Sequence, residues 1–341
     1  MAVTTRSQQV VGYLPGFGYA AAVTALAWLL AQATGPALSS ITIAIVIGII
    51  VANTGLIPES TRPGIAWVGR YLLRLGVVLL GFSIVWDDVR QLGLDGLAAL
   101  IGIVGASFAV IWWLGRRLGT GDTTSLLIAT GTAVCGAAAI AAMAGVRGES
   151  KREVSDSTAI AVAMIVFYGT IVLFVYPLLM TPLGLNEVQF GAWTGASVHE
   201  VAQVIAAATP AGVTAVEIAT VVKLTRVLLL ALLVAGVAYA YRNRPMSPEG
   251  TGVRSGQLVP PFILAFVGVV ALNSIVDLPT GLVDGALTGK DLALTAAMFG
   301  VGTNVVIRDL ISRGRPALVT GLIGSLFISV LALVLVLVVV P

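Results

Sequence analysis

The only histidine in the chain, His199, is followed directly by Glu200 and, four positions after the histidine, by Gln203. On a helix His199 and Gln203 stack on one face, with Glu200 beside them. An imidazole, a carboxylate and an amide in an apolar setting suit three jobs. They can bind a polar solute, relay a proton, or tie helices together by buried hydrogen bonds. Ser197, within the run Gly195-Ala-Ser-Val-His-Glu200, adds a hydroxyl. The order His-Glu-x-x-Gln departs from the zinc-protease pattern His-Glu-x-x-His at the second ligand, and no other histidine can replace it. One cysteine, Cys135, excludes an intrachain disulfide and a multi-cysteine metal site. It has no basic neighbour in sequence and reads as a small packing residue.

Four cations form two helical pairs inside long apolar runs. Arg70 and Arg74 are four apart, Lys223 and Arg226 three apart, so each pair shares a helix face. Charges at such positions are costly and default to function, and here they face a single clear intramembrane anion, Glu200. A net positive interior suits an anionic substrate. Arg70 and Lys223, nearer their span ends, have snorkelling to the interface as the competing explanation. Glycine-rich interruptions at 131–136 (Gly131, Thr132, Gly136) and 300–304 (Gly302, Thr303, Asn304) would free backbone N–H groups at membrane depth. Such groups bind anions without a basic side chain. Close helix packing through small residues is the alternative.

The elements that position these residues follow from composition. The chain is 58% hydrophobic and 10% charged, with a mean hydropathy of +1.02. A soluble domain carries about 25% charged residues, so the class is an all-α polytopic membrane protein. A net charge of +3 is mild and fits basic loops better than nucleic-acid binding. Eleven spans are expected near 13–31, 40–57, 64–85, 93–115, 122–145, 156–179, 187–208, 215–240, 258–276, 289–308 and 316–340. The first is expected to be a retained span, because Met1 to Gly12 lacks the layout of a cleaved signal. The stretch Arg242–Gln257 reads as an exposed loop, and 1–341 as one integral membrane domain. An N-terminus in the cytoplasm places ten loop cations inside (Arg6, Arg62, Arg116, Arg117, Arg242, Arg244, Arg254, Arg308, Arg313, Arg315). Five fall outside (Arg90, Arg147, Lys151, Arg152, Lys290), with the Arg147–Arg152 loop dissenting.

Two landmarks repeat five spans apart: the arginine before a Leu-rich run (Arg74, Arg226) and the glycine-rich interruption (131–136, 300–304). An odd offset means inverted units, here 40–179 (spans two to six) and 187–340 (spans seven to eleven). The glycine-broken helices are spans five and ten.

The chain resembles the YeiH-type family, bacterial inner-membrane proteins associated with sulfate export. The resemblance rests on Leu72-Leu-Arg74-Leu-Gly76, the run from Gly131 to Ile140, Gly191 to Gln203, Lys223-Leu-Thr-Arg226, Pro260-Pro-Phe262 and Ala297-Met-Phe-Gly300. It covers nearly the whole chain. It implies a secondary transporter related to the bile-acid/sodium symporter and cation/proton antiporter group, with inverted five-helix repeats and two broken helices crossing at the midplane. The expected function is alternating-access transport of a small anion such as sulfate or an organosulfonate. Arg74 and Arg226, supported by Lys223 and Arg70, would supply positive potential. The glycine breaks, Ser197 and Gln203 would contact substrate, with His199 and Glu200 as the coupling pair. A sodium- or proton-coupled transporter of another solute, a channel and a non-transporting scaffold are the rivals. No cofactor, catalytic residue or nucleic-acid partner is expected. The bilayer, a coupling proton or sodium ion and a second copy in a homodimer are.

Overall fold

A computed structural model describes residues 6–34, 39–83, 93–144, 146, 150–241, 261–308, 311 and 315–340. The expected Arg242–Gln257 loop and several loop cations (Arg90, Arg147, Arg242, Arg244, Arg254, Arg313) lie outside these residues. Among the described residues the regular structure is entirely helical. The helices are α1 (Arg6–Thr34), α2 (Ser40–Thr54), α3 (Arg62–Leu80), α4 (Gly93–Arg117), α5 (Asp122–Ala133), α6 (Ala137–Met143) and α7 (Lys151–Met180). They continue with α8 (Glu187–Ser197), α9 (Val201–Ala208), α10 (Val213–Tyr241), α11 (Pro261–Ile275), α12 (Thr280–Gly302) and α13 (Arg315–Val339). Among the described residues six helical segments are long and apolar enough to cross a bilayer: 12–33, 59–83, 93–117, 152–180, 213–241 and 315–339. Local signals set several starts. Ser39 Oγ accepts the Thr42 N–H to begin α2. Asn186 and Gln189 satisfy each other's backbone N–H groups to begin α8.

The helices form two lobes. The first packs α1, α2, α3, α11 and α12 together, and the second packs α4 to α10 with α13. In the first lobe glycines let backbones touch: Gly300 sits against Gly69, and Gly302 against Ile45 and Gly48. Helix α12 therefore runs unbroken from Thr280 to Gly302 and only then turns at Thr303 and Asn304. The interruption expected at 300–304 therefore begins only after Gly302, because Gly300 and Gly302 themselves serve helix packing.

Spans five and seven also differ from the expected crossings. Helix α5 lies alongside the first half of α7: Thr123 Oγ1 donates to Glu153 Oε1, Thr124 Oγ1 to Ser157 Oγ, and Gly131 abuts Ile165. Residues 123, 124 and 131 thus pair in ascending order with 153, 157 and 165, so α5 and α7 run parallel. The chain between must reverse, and Gly131 indeed touches Ile140 of α6. The same logic holds for α8 and α10. Gly191 abuts Ala215, Gly195 abuts Ala219 and Val222, and Gly212 meets the Glu187 carboxylate at the opening of α8. Helix α9 must return antiparallel to α8. Both segments are helical hairpins that turn back at 134–136 and 198–200. Their arms are too short to cross: the 12 residues of α5 reach about 18 Å against a hydrocarbon core of about 30 Å.

Helix α7 runs from the opening of the first hairpin to the turn that begins the second, so the hairpins open toward opposite ends of the bundle. Following the chain, the helix termini carrying Arg62, Arg116, Arg117, Arg152, Arg308 and Arg315 all fall at the end where α1 starts. The order Gly115–Thr320, Ile111–Gly324, Trp193–Ser329 and Gln189–Val340 fixes α13 antiparallel to both α4 and α8.

Candidate functional site

Each hairpin tip leaves helix-terminal carbonyls without intrahelical partners. Lys223 and Arg226, one turn apart on α10 and fully buried, take them up. Lys223 Nζ donates to Val134 O at 2.6 Å, Val198 O at 2.7 Å and His199 O at 2.5 Å. Arg226 donates from Nε to Ala133 O at 3.2 Å, and from Nη1 to Gly195 O and Val198 O at 3.0 and 3.3 Å. Its Nη2 donates to Thr132 O and Ala133 O at 2.9 and 2.7 Å. An ammonium has three N–H donors and a guanidinium five, so every donor of both residues is used on the two tips. The C-terminal ends of α5 and α8 carry partial negative charge, and the two cations lie against both.

The tips also touch directly. Glu200 Oε1 accepts the Ala137 N–H at 2.6 Å, which places the second tip's carboxylate on the first turn of α6. Gly136 has φ 70° and ψ −131°, a left-handed backbone, and its α-carbon lies against the Glu200 carboxylate. Glycine alone meets both demands. Gln203 Oε1 accepts the Glu200 N–H at 3.3 Å, while its Nε2 donates to Val166 O at 3.2 Å. His199 points elsewhere: Nε2 pairs with Ser325 Oγ at 2.8 Å on α13, and Nδ1 has no partner among the described residues. Ser197 Oγ donates to Trp193 O and accepts from Tyr176 O–H at 2.8 Å.

A cavity of about 260 Å³ lies between the lobes where the tips end. On the first lobe its wall carries Arg70, Arg74, Leu73 and Val77 of α3, Phe262 and Phe266 of α11, and Asn304 after α12. On the second it carries Cys135, Ala137 and Ala138 of the first tip, Glu200 and Val201 of the second, Thr158 and Val162 of α7, and Leu224 and Val227 of α10. Arg70, Arg74 and Asn304 are exposed, whereas Glu200 is buried. The Arg74 guanidinium lies 5.7 Å from the Tyr71 ring centre and 6.0 Å from that of Phe262.

Of the residues singled out by sequence, the cavity brings together Arg70, Arg74, Glu200 and Asn304. Lys223, Arg226, Gly131, Thr132, Gly136, Ser197, His199 and Gln203 lie behind it, building the tips. Gly302 and Thr303 belong to the packing and end of α12; Thr303 Oγ1 donates to Gly300 O at 2.7 Å. Sequence reasoning missed Thr158, Val162, Leu224, Val227 and Phe266, since hydroxyl and apolar residues in apolar helices carry no distinguishing signal. Phe262 stands out in the sequence only as part of the Pro260-Pro-Phe262 run. Cys135 reads as a packing residue by sequence, yet its place beside the glycine turn puts it on the wall.

The fold and site define a multi-pass, all-helical membrane protein with two facing lobes and a cavity that reaches two hairpin tips. Residues 15–321 match the family described as "Conserved hypothetical protein 698", and the chain belongs to that family. It is 37% identical over 296 residues to a UPF0324 membrane protein of Corynebacterium glutamicum, covering 86% of this chain and 84% of the relative. It is 33% identical over 299 residues to a UPF0324 membrane protein of Bacillus cereus, covering 88% and 86%. A third, from Staphylococcus aureus, is 32% identical over 297 residues, covering 87% and 88%. No solved structure matches.

Proposed function

We propose that the protein is a secondary active transporter that carries a small anion through the cavity between its lobes by alternating access. One observation carries this reading: two opposed hairpin tips end at a cavity whose facing wall presents Arg70 and Arg74. Opposed half-helices ending within the membrane are the usual way to build a solute site there. Irregular backbone at that depth survives when it is packed in protein or lines a cavity. Arg70 and Arg74 attract and hold the anion. Glu200, the acidic residue on the opposite wall, is the coupling group for a proton or sodium ion. Lys223 and Arg226 brace the two tips into one unit, so the positive charge they bring is committed to backbone carbonyls. His199 braces the second tip against α13. The His199 ring and the Glu200 carboxylate have different partners, Ser325 and Ala137, so we assign the site to transport and not to catalysis.

The hairpins opening toward opposite ends support inverted repeats with the expected boundaries, 40–179 and 187–340, but with the order permuted. The first hairpin with α7 corresponds to the second with α10, and α4 corresponds to α13. The direction of α7 also moves Arg152, one cation of the dissenting stretch, to the end that bears the other basic termini. That supports an N-terminus in the cytoplasm, at the bacterial inner membrane. The resemblance to the YeiH-type family favours sulfate or an organosulfonate as the solute class. The test is uptake of labelled sulfate and sulfonates into proteoliposomes, with and without an imposed pH or sodium gradient. Saturable flux lost in Arg74→Gln supports the reading. Equal flux from empty liposomes across the panel contradicts it.

A sodium- or proton-coupled carrier of a different solute is favoured only if flux depends on Glu200 and not on Arg74.

A further inference from the structure

We infer that the carried anion is an organic monoanion with an apolar body of about five carbons, and not an inorganic oxyanion. The inference rests on the cavity being the transport site.

Three features of the walls point to it. The first is size. A cavity of about 260 Å³ holds on the order of nine water-sized units at about 30 Å³ each, while a tetrahedral oxyanion has only five heavy atoms. The second is chemistry along the wall. Beyond Arg74 the lining turns apolar: Leu73 and Val77 on α3, Phe266 on α11, and Val162, Leu224 and Val227 opposite. A fully hydrated dianion entering there would shed its water and find a single unpaired side-chain hydroxyl, that of Thr158, to replace it, a cost that burial of charge always carries. The first amide of α6, that of Ala137, is already used by Glu200, and the donors of Lys223 and Arg226 are spent on carbonyls. The third is sign. Glu200 faces the arginines across the cavity and repels a second negative charge. A single anionic head at Arg70 and Arg74 with a hydrocarbon body against the phenylalanine, valine and leucine side chains satisfies all three.

Burying each methylene against this wall tightens binding about threefold to fourfold. The experiment measures affinity of the purified full-length protein for the linear alkanesulfonates from methane- to heptanesulfonate, for sulfate, and for the matching neutral alcohols. Affinity should rise about threefold per methylene up to about pentanesulfonate and then level or fall. Sulfate should bind more weakly than methanesulfonate. Phe266→Trp and Val162→Phe, each filling the apolar end, should move the best chain length down by one or two carbons. Arg74→Gln should weaken every sulfonate by a similar factor and leave the slope unchanged. A flat series, or sulfate binding more tightly than pentanesulfonate, overturns the inference. If that binding still depends on Arg74, the anion-transport reading survives alone. Alcohols that follow the same slope with equal affinity also overturn the inference, since the site then selects only for grease. Absence of binding across the panel overturns both readings together.

Discussion

Replacing Lys223 by methionine tests whether the hairpin tips are built on this cation. Methionine keeps an unbranched apolar stem but removes all three donors to Val134, Val198 and His199. Hydrogen bonds within membrane proteins average about 0.6 kcal/mol and reach about 1.7 kcal/mol, which puts the loss at about 2–5 kcal/mol. Relief from burying an ammonium acts in the other direction. The lower half of that range, about 2–3 kcal/mol, is therefore expected, or a melting temperature lowered by roughly 3–4 °C. The loss should be local as well as global. Val134 adjoins Cys135, the sole thiol, which is buried at 3% exposure. Loosening the first tip should raise the rate of Cys135 alkylation by at least about tenfold at a temperature where the fold persists. Lys290→Met is the control, because Lys290 pairs with Asp291 in the other lobe. A Lys223→Met protein with the melting temperature and Cys135 reactivity of the parent would refute the brace.

Other outcomes follow from the same geometry. Gly136→Ala places a methyl against the Glu200 carboxylate at a left-handed backbone position. It should cost about 1–3 kcal/mol and abolish flux, while Gly102→Ala, with open space around it, should melt like the parent. Tyr176→Phe keeps the stack on Trp193 at 3.8 Å but loses bonds to Ser197 and Ser329. Thermal melting should report a loss of about 1–2 kcal/mol. Glu200→Gln should remove the dependence of flux on the coupling-ion gradient, and His199→Gln should retain it, as measured in gradient-driven uptake. A carried anion should slow Cys135 alkylation, because the thiol lies on the cavity wall; unchanged labelling at saturating anion would place the solute elsewhere.

The sequence made the class plain because low charge and long apolar runs leave few alternatives. It also made the buried charged and imidazole groups among the described residues visible, since Lys223, Arg226, His199 and Glu200 stand out against apolar neighbours. What it hid was direction. Hydropathy over 122–145 or 187–208 reads the same for one full span as for two half-length arms, because both bury the same residues. The reversal appears only in pairings such as Gly131 with Ile140 and Gly212 with Glu187. Glycine was ambiguous for the same reason. Gly136 makes a turn, whereas Gly300 and Gly302 admit neighbouring backbones, and spacing alone does not separate the two uses. Cations were ambiguous too. Arg74 and Arg226 sit in similar local sequences, yet Arg74 is exposed on the cavity wall and Arg226 spends five donors on carbonyls.

The central claim is that the cavity bounded by Arg70, Arg74 and Glu200 is where an anion crosses. Counterflow of a labelled alkanesulfonate into preloaded proteoliposomes, comparing the parent with Arg70→Gln/Arg74→Gln, tests it most directly. The account predicts saturable counterflow in the parent and at least about a hundredfold lower flux in the variant at equal folded protein. Equal counterflow in both, or flux through the parent that never saturates, would contradict it.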